Sequence, residues 1–374
     1  MTLLEENLSL KKTPLYDRHL ALQGKMVDFG GWSLPIQYTS IMAEHQHTRQ
    51  KCSIFDVSHL GEIHVKGKDA FSFLQKRITN DLKKCEPYQV IYSLLCDEQG
   101  FSLDDILIYR GEVEDYYLIV NAANIEKDFK ELQRYATKSV QIDNRSDETG
   151  CIAVQGPDSE KILEELFSFD LKKLSYYTFK QVLFEKGPVW VSRSGYTGED
   201  GFELFSMASL SPKLWDRLLN DGKKLGVLPA GLGARNTLRL EAGNPLYGHE
   251  MDEKTTPLEA GLGFAVSFEK GDFVGREPLL RQKQAGLQKK LVGFKMKDKS
   301  IPRDGYLLRK NGQPIGKVTS GSFAPSLGLG IGMGFVSIGH EKIGTELEVE
   351  VHGRTALAEV VKRPFVPLKH KKGL

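Results

Sequence analysis

Two adjacent acids, Asp104 and Asp105, interrupt the apolar run Leu103, Ile106, Leu107 and Ile108, and no other feature constrains the fold as tightly. The run reads as a strand buried on both faces, where an unpaired charge costs several kcal/mol. Side chains alternate along a strand, so Asp105 shares a face with Leu103, Leu107 and Tyr109, while Asp104 shares the other with Ile106 and Ile108. The two acids therefore cannot share a proton as a catalytic dyad. Each must be hydrogen-bonded, paired or protonated. Asp104 is expected in an internal ion pair; Asp105, on a face with a tyrosine that resembles a cavity lining, is the candidate for proton chemistry.

The segments around this strand predict an α+β unit. Ile63 and Val65 alternate with polar residues as in a strand, and Ala70, Phe71, Phe73, Leu74 and Ile78 recur at helical spacing. Tyr116 to Asn121 reads as a further strand and Ile125 to Tyr135 as a helix, closing the unit near residue 146. The first fifty residues, punctuated by Phe29-Gly30-Gly31-Trp32 and Leu34-Pro35, are expected to form an irregular entry segment. A second unit is expected from Cys151-Ile152-Ala153-Val154-Gln155, a strand stopped by Gly156-Pro157. Its helix at 212 to 220 has Ser211 as a cap and Pro212 in the first turn. Past residue 285, strands at Leu291 to Met296 and Glu346 to Val351 and a hairpin turn at Arg309-Lys310-Asn311-Gly312 predict a small β domain. The tail Leu368-Lys369-His370-Lys371-Lys372-Gly373-Leu374 is expected to be solvated and frayed.

Lys plus Arg is 51 against 49 Asp plus Glu, an excess too small for a nucleic-acid footprint. The acids near the amino terminus and the absence of an apolar h-region argue against a secretory signal, and no window reaches the span a membrane helix needs. Cys52, Cys85, Cys96 and Cys151 form no Cys-x-x-Cys pair, so no zinc knuckle or redox dithiol is written here, and four free thiols fit a reducing cytoplasm.

Several motifs tempt further. Gly231-x-Gly233 lacks the third glycine of a dinucleotide fingerprint, Asn236 standing in its place, and Gly328 to Gly334 also misses that spacing and fits a strand with close backbone approach. Glu44 and His47 stand three apart, but no second copy completes a carboxylate metal site. Asp56, Ser58 and His59 resemble a hydrolase triad without the nucleophile elbow that would support it. The loop Arg193 to Glu203 packs three glycines around Tyr196 and can set Tyr196 and Glu203 in a pocket wall. Arg235, at the start of a helix, can hold a carboxylate or join an internal Arg-Glu pair.

In order along the chain, Lys25-Met26-Val27-Asp28-Phe29-Gly30-Gly31-Trp32, Phe55-Asp56-Val57-Ser58-His59, Thr79-Asn80-Asp81, Leu103-Asp104-Asp105, Asn121-Ala122-Ala123-Asn124, Gly195 to Glu203 and Pro229 to Arg235 resemble the T-protein family of the glycine cleavage system, the aminomethyltransferases. The resemblance implies a three-domain cloverleaf around a central folate cavity. The lobes would be 1–53 with 147–275, 54–146 carrying the catalytic aspartate, and 285–374 as a small C-terminal β-barrel-like domain. It implies transfer of a methylene carbon from the aminomethyl group on dihydrolipoyl H protein to tetrahydrofolate, with release of ammonia. Asp105 would be catalytic, and Tyr92, Tyr109, Asn121, Tyr196, Glu203, Arg235 and Tyr247 would contact the folate. No metal or flavin is expected. The implied partners are lipoylated H protein and, functionally, the glycine decarboxylase and dihydrolipoyl dehydrogenase components; neither nucleic acid nor membrane is expected.

The chain departs from the family at Ser58-His59-Leu60-Gly61, where methionine is usual in place of Leu60, and at Gly100-Phe101-Ser102. It also has Leu368-Lys369-His370 where relatives carry a tyrosine or arginine, which argues against a tail contact to substrate. The competing reading is a non-catalytic folate-binding protein of the same fold. In the iron-sulfur maintenance type the marker loop contains a cysteine, and here that loop reads Arg193-Ser194-Gly195-Tyr196. An oxidase-associated folate domain would bring a flavin fingerprint, which this sequence lacks.

Overall fold

The computed structural model describes residues 10–167 and 169–371. Asp105 lies in a five-stranded antiparallel sheet, whose order is Val90–Cys96, Ser102–Arg110, Asp115–Val120, Gly61–Lys66 and Gln141–Asn144. The helices Ala70–Arg77 and Ile125–Arg134 supply residues to the apolar core that this sheet shares, with Ile63, Leu74, Ile108 and Leu132 buried in it. The alternation expected of the central strand holds. Asp104, Ile106 and Ile108 are buried, while Leu103, Asp105 and Leu107 are partly open.

A second sheet of six strands runs Phe179–Phe184, Gly187–Ser192, Gly201–Met207, Thr149–Gln155, Ser53–Asp56 and Leu228–Pro229. Its core is capped by the helix Ser211–Gly222, from which Leu214, Trp215 and Leu218 are buried. Ser211 lies inside this helix, after Leu210 at the cap position, and its hydroxyl donates to the Met207 carbonyl at 3.2 Å, so it is not the cap that the sequence suggested. The two large sheets meet through Phe55, Tyr109, Ala153 and Phe205.

The C-terminal strands close into a six-stranded barrel, in the order Lys289–Met296, Leu329–Ser337, Gln313–Ala324, Leu307–Lys310, Glu346–Val351 and Arg354–Val361. The expected close approach appears at Gly332, where a Cβ would lie 2.4 Å from the Phe294 ring. The α+β class and the terminal barrel are thus as expected.

Two further expectations fail. The entry segment is regular: Tyr16–Ala21 is a helix, Lys25–Phe29 and Trp32–Gln37 pair as a hairpin about Gly30-Gly31, and Ile41–Gln50 is a helix capped by Ser40. The Gly-Gly pair is a tight turn between two short strands, not a break in order. The tail is also docked through residue 371. Lys369 donates its backbone N–H to Gly198 and its ammonium to Glu199 at 3.0 Å, Lys371 reaches Glu160 at 3.3 Å, and His370 stacks on Tyr176 at 4.1 Å. Buried acids on the 193–203 loop side pull these cations down. Lys372 to Leu374 lie outside the described residues.

Candidate active site

Between the sheets and the barrel lies a cavity of about 800 Å³ whose wall includes Tyr92, Asp105, Asn121, Tyr196, Glu203, Arg235 and Tyr247. Residues far apart in sequence converge there because the five-stranded sheet supplies Tyr92, Asp105 and the turn after Val120, the six-stranded sheet supplies Glu203, and the helix Leu232–Glu241 supplies Arg235.

Asp105 is held by neutral donors. The Tyr92 hydroxyl donates to Oδ2 at 3.0 Å and the Asn121 amide to Oδ1 at 2.8 Å. The same amide nitrogen lies 2.8 Å from Asp104 Oδ1, which also takes the Asn124 amide at 2.6 Å, and the Asn121 backbone N–H reaches Asp104 Oδ2 at 3.0 Å. Asp104 is therefore satisfied by amides and not by the ion pair expected from its burial; a turn of the chain at Asn121–Asn124 brings three donors to it. Burial, and then the Asp104 charge, push the Asp105 carboxyl well above the ordinary carboxylate range, while Tyr92 and Asn121 pull it back. Such a group stays poised between proton acceptor and donor near neutrality.

Opposite charges in the wall stand apart from one another. Glu203 accepts the Ser194 hydroxyl at 2.6 Å, and burial raises its pKa. The Arg235 guanidinium makes no hydrogen bond to any described residue and stacks over the Tyr196 ring at 4.7 Å. The internal Arg-Glu pair weighed from sequence belongs instead to Arg239, which meets Glu250 at 3.1 Å. Tyr196 is anchored through its hydroxyl to the Pro245 carbonyl. Its loop passes close to the six-stranded sheet at Gly195, where a Cβ would lie 2.1 Å from Gln155 Oε1. Tyr247 accepts the Lys127 ammonium at 2.9 Å.

Tyr109 is the exception among the expected contacts. It is 1% exposed, its ring packs on Phe179 and Phe205, and its hydroxyl donates to Ser192 at 3.1 Å. Four residues beyond Asp105, the same strand face has passed from the cavity to beneath the six-stranded sheet. Tyr109 supports Glu203 from behind, since Ser194 lies between the two hydroxyl contacts.

Other parts of the wall escape sequence reasoning. Tyr176, Tyr177, Phe29, His59, Phe264 and Arg363 all line the cavity. The Tyr176-Tyr177 doublet was a usable signal, because two stacked rings 4.4 Å apart present one flat face. Arg363 enters from just beyond the last barrel strand, Arg354–Val361, and nothing in its local pattern announces it. The triad resemblance dissolves: Asp56 is taken by His19 at 2.8 Å and Thr13 at 2.6 Å, and Ser58 is tied to the Cys151 backbone. Glu44 accepts the backbone N–H groups of Tyr38, Thr39 and Gly231, and His47 bonds the Gly226 carbonyl.

A carboxylate without a cationic partner, on an aromatic-walled cavity at the junction of two sheets and a barrel, is the kind of site an enzyme builds, with flat faces beside an ionisable group. Residues 15–270 match the GCVT N-terminal domain and residues 289–367 the glycine cleavage T-protein C-terminal barrel domain. The aminomethyltransferase of Thermoanaerobacter sp. (strain X514) is 46% identical over 366 residues, 97% of this chain and 100% of the relative. That of Caldanaerobacter subterraneus subsp. tengcongensis is 47% identical, covering 97% of this chain and 98% of the relative. The crystal structure of the glycine cleavage system aminomethyltransferase T from Bartonella henselae superposes with a TM-score of 0.92 at 34% identity, covering 97% and 100% of the two chains. The chain belongs to the glycine cleavage T-protein family, and its activity is that of an aminomethyltransferase of the glycine cleavage system. None of these likenesses supports the non-catalytic alternative.

Proposed function

We propose that the enzyme moves the methylene carbon of an aminomethyl group, carried on the dihydrolipoyl arm of H protein, to tetrahydrofolate. The products are 5,10-methylenetetrahydrofolate, ammonia and the reduced dithiol arm. The balance is simple: two folate N–H protons leave, one to the departing sulfur and one to the departing nitrogen, as two C–N bonds to folate replace the C–S and C–N bonds of the donor.

The observation that carries the reading is Asp105, held by Tyr92 and Asn121 on the wall of a cavity of about 800 Å³. An anion in a weakly polar site stabilises the iminium-like charge that forms on the methylene carbon as ammonia leaves, and it orients or deprotonates the attacking amine. The fit to a reduced pterin rests on chemistry that the wall offers. A carboxylate such as Glu203 accepts two donors from an aminopyrimidine edge. The rings of Tyr92, Tyr196 and Tyr247 offer flat apolar faces, and Arg235 suits a carbonyl or carboxylate oxygen. Asn121 acts through Asp105.

The lobe division at 1–53 with 147–275, 54–146 and 285–374 belongs to the same proposal, supported by three sheet systems with separate cores. Pairing of the whole strand Ser53–Asp56 with Thr149–Gln155 argues for a first crossover a few residues later. H protein is the partner and tetrahydrofolate the cosubstrate in this reading. Four buried, unpaired cysteines and the lack, among the described residues, of a helix able to cross a membrane accord with a cytoplasmic setting.

The test is ammonia release from aminomethylated H protein with and without tetrahydrofolate. Strong dependence on the folate is expected; equal rates in its absence would remove it as the acceptor.

A further inference from the structure

Four histidines are buried, His19, His45, His59 and His64. Three have evident partners: His19 lies 2.8 Å from Asp56, His45 lies 2.8 Å from Thr237 and 3.0 Å from Ser326, and His64 lies 2.5 Å from Asp115. His59 differs. It is 3% exposed and lines the cavity, yet neither ring nitrogen bonds any described residue. A buried polar group left unpaired is costly, and a histidine kept for packing alone would be served as well by a phenylalanine.

The imidazole is not free to turn away. Its segment is pinned by the Val57 N–H on Cys151 and by Ser58 on the same residue, and Phe29 meets the ring edge to face at 5.5 Å. Nδ1 is shielded from solvent, which leaves Nε2 as the nitrogen that reaches the cavity. An unpaired buried N–H is rarer than an unpaired acceptor, so the proton belongs on Nε2, aimed inward. Burial and then the Arg235 charge hold the ring neutral, with its pKa lowered to about 4. It therefore works as a hydrogen-bond donor and not as a cation.

The ligand's chemistry decides what this donor meets. The edge of a reduced pterin presents an amino group and a ring N–H beside a carbonyl oxygen. If Glu203 takes the two donors, the adjoining oxygen requires a donor from the same wall. Arg235 is electrostatically coupled both to Glu203 and to His59, so these three groups share that wall. We propose that His59 donates Nε2–H to the carbonyl oxygen of the bound pterin and so discriminates ligands that carry an acceptor at that position. The inference rests on the tetrahydrofolate reading above.

Binding of tetrahydrofolate to the full-length chain, followed by calorimetry, tests it with three variants. His59→Phe keeps a ring against Phe29 but removes the donor and is expected to raise Kd about tenfold, with an unchanged or higher Tm. His59→Gln, which restores an N–H donor, is expected within about threefold of the native chain. His59→Ala should match His59→Phe in affinity, which separates the lost donor from any misfit of the larger ring. The penalty in His59→Phe should persist with a tetrahydropteroate that lacks the glutamate. Native affinity in His59→Phe overturns the inference, and so does a penalty that vanishes with the shortened ligand, because the oxygen would then be a glutamate carboxylate. Failure of the native chain to bind tetrahydrofolate would instead sink the folate reading itself.

Discussion

The Tyr92 hydroxyl donates to Asp105 Oδ2 at 3.0 Å. No cation among the described residues shares that carboxylate. Several other buried acids do meet cations: Glu241 meets Arg49 and His45, Asp200 meets Arg193, and Glu250 meets Arg239. A carboxylate paired with arginine has its field cancelled, whereas one held by a phenol and an amide keeps its full charge for whatever enters the cavity.

Asp105→Asn keeps the acceptor for Tyr92 but loses the charge and the proton site. Ammonia release from aminomethylated H protein should fall about 10²- to 10⁴-fold, the usual contribution of a positioned acid or base. Tetrahydrofolate affinity should change little. Full turnover in this variant would remove Asp105 from the mechanism.

The acid limb of the rate profile follows the same group. Asp105 must be ionised to work, and its pKa is raised by burial and by Asp104, so the rate should rise with pH well above the value near 4 of a free aspartate. The Tyr92 hydrogen bond lowers that pKa. Tyr92→Phe should therefore move the limb to still higher pH, and a shift in the opposite direction would contradict the assignment.

Stability should respond in the opposite sense to activity. An acid whose folded pKa exceeds its unfolded value favours the fold when protonated, and that contribution is lost as pH rises from the unfolded value toward the folded one. Asp105→Asn, which cannot ionise, should be more thermally stable than the native chain at pH 8, with the gap closing toward pH 4. This is the expected cost of a functional group placed where the fold would prefer a neutral one. Equal melting temperatures across that range would show that Asp105 carries no such strain.

How much of this was legible in the sequence differs from element to element. The face of Asp105 was readable because strand alternation is strict, and a misassignment would have put a charge in the core. The helix Ser211–Gly222 was readable from its apolar face and its proline. Tyr109 was not, because periodicity gives the face but not where along the strand the cavity ends. The strand Val90–Cys96 that carries Tyr92 was not marked by alternation either: it is apolar through Leu94, Leu95 and Cys96, which are all buried. Arg363 and His59 reach the wall from the barrel and from a crossover between sheets. Only tertiary packing brings such positions together.

Glu203 offers a separable test of recognition. Its carboxylate takes the Ser194 hydroxyl at 2.6 Å through Oε2 and is set in the cavity wall. Glu203→Ala should weaken tetrahydrofolate binding about tenfold or more, since two charge-assisted hydrogen bonds are lost, with a smaller effect on turnover at saturating folate. Unchanged affinity would deny Glu203 any contact with the pterin.

Arg193 tests the scaffold apart from the chemistry. Its buried guanidinium bonds Asp200 at 2.7 Å and Glu160 at 2.6 Å, and also the Leu171 and Leu174 carbonyls at 3.1 and 2.9 Å. Lys371 of the tail reaches the same two acids at 3.8 and 3.3 Å. Arg193→Met would leave buried carboxylates with one exposed lysine in place of a forked donor. A loss of about 3–5 kcal/mol in unfolding free energy is expected, as for other broken buried pairs. Adding Asp200→Asn should recover part of that loss, because it removes a charge left without its partner. Arg193 does not line the cavity, so the activity of the folded fraction at low temperature should stay close to native. A drop as deep as that of Asp105→Asn would mean instead that the 193–203 loop transmits its order directly to Tyr196 and Glu203.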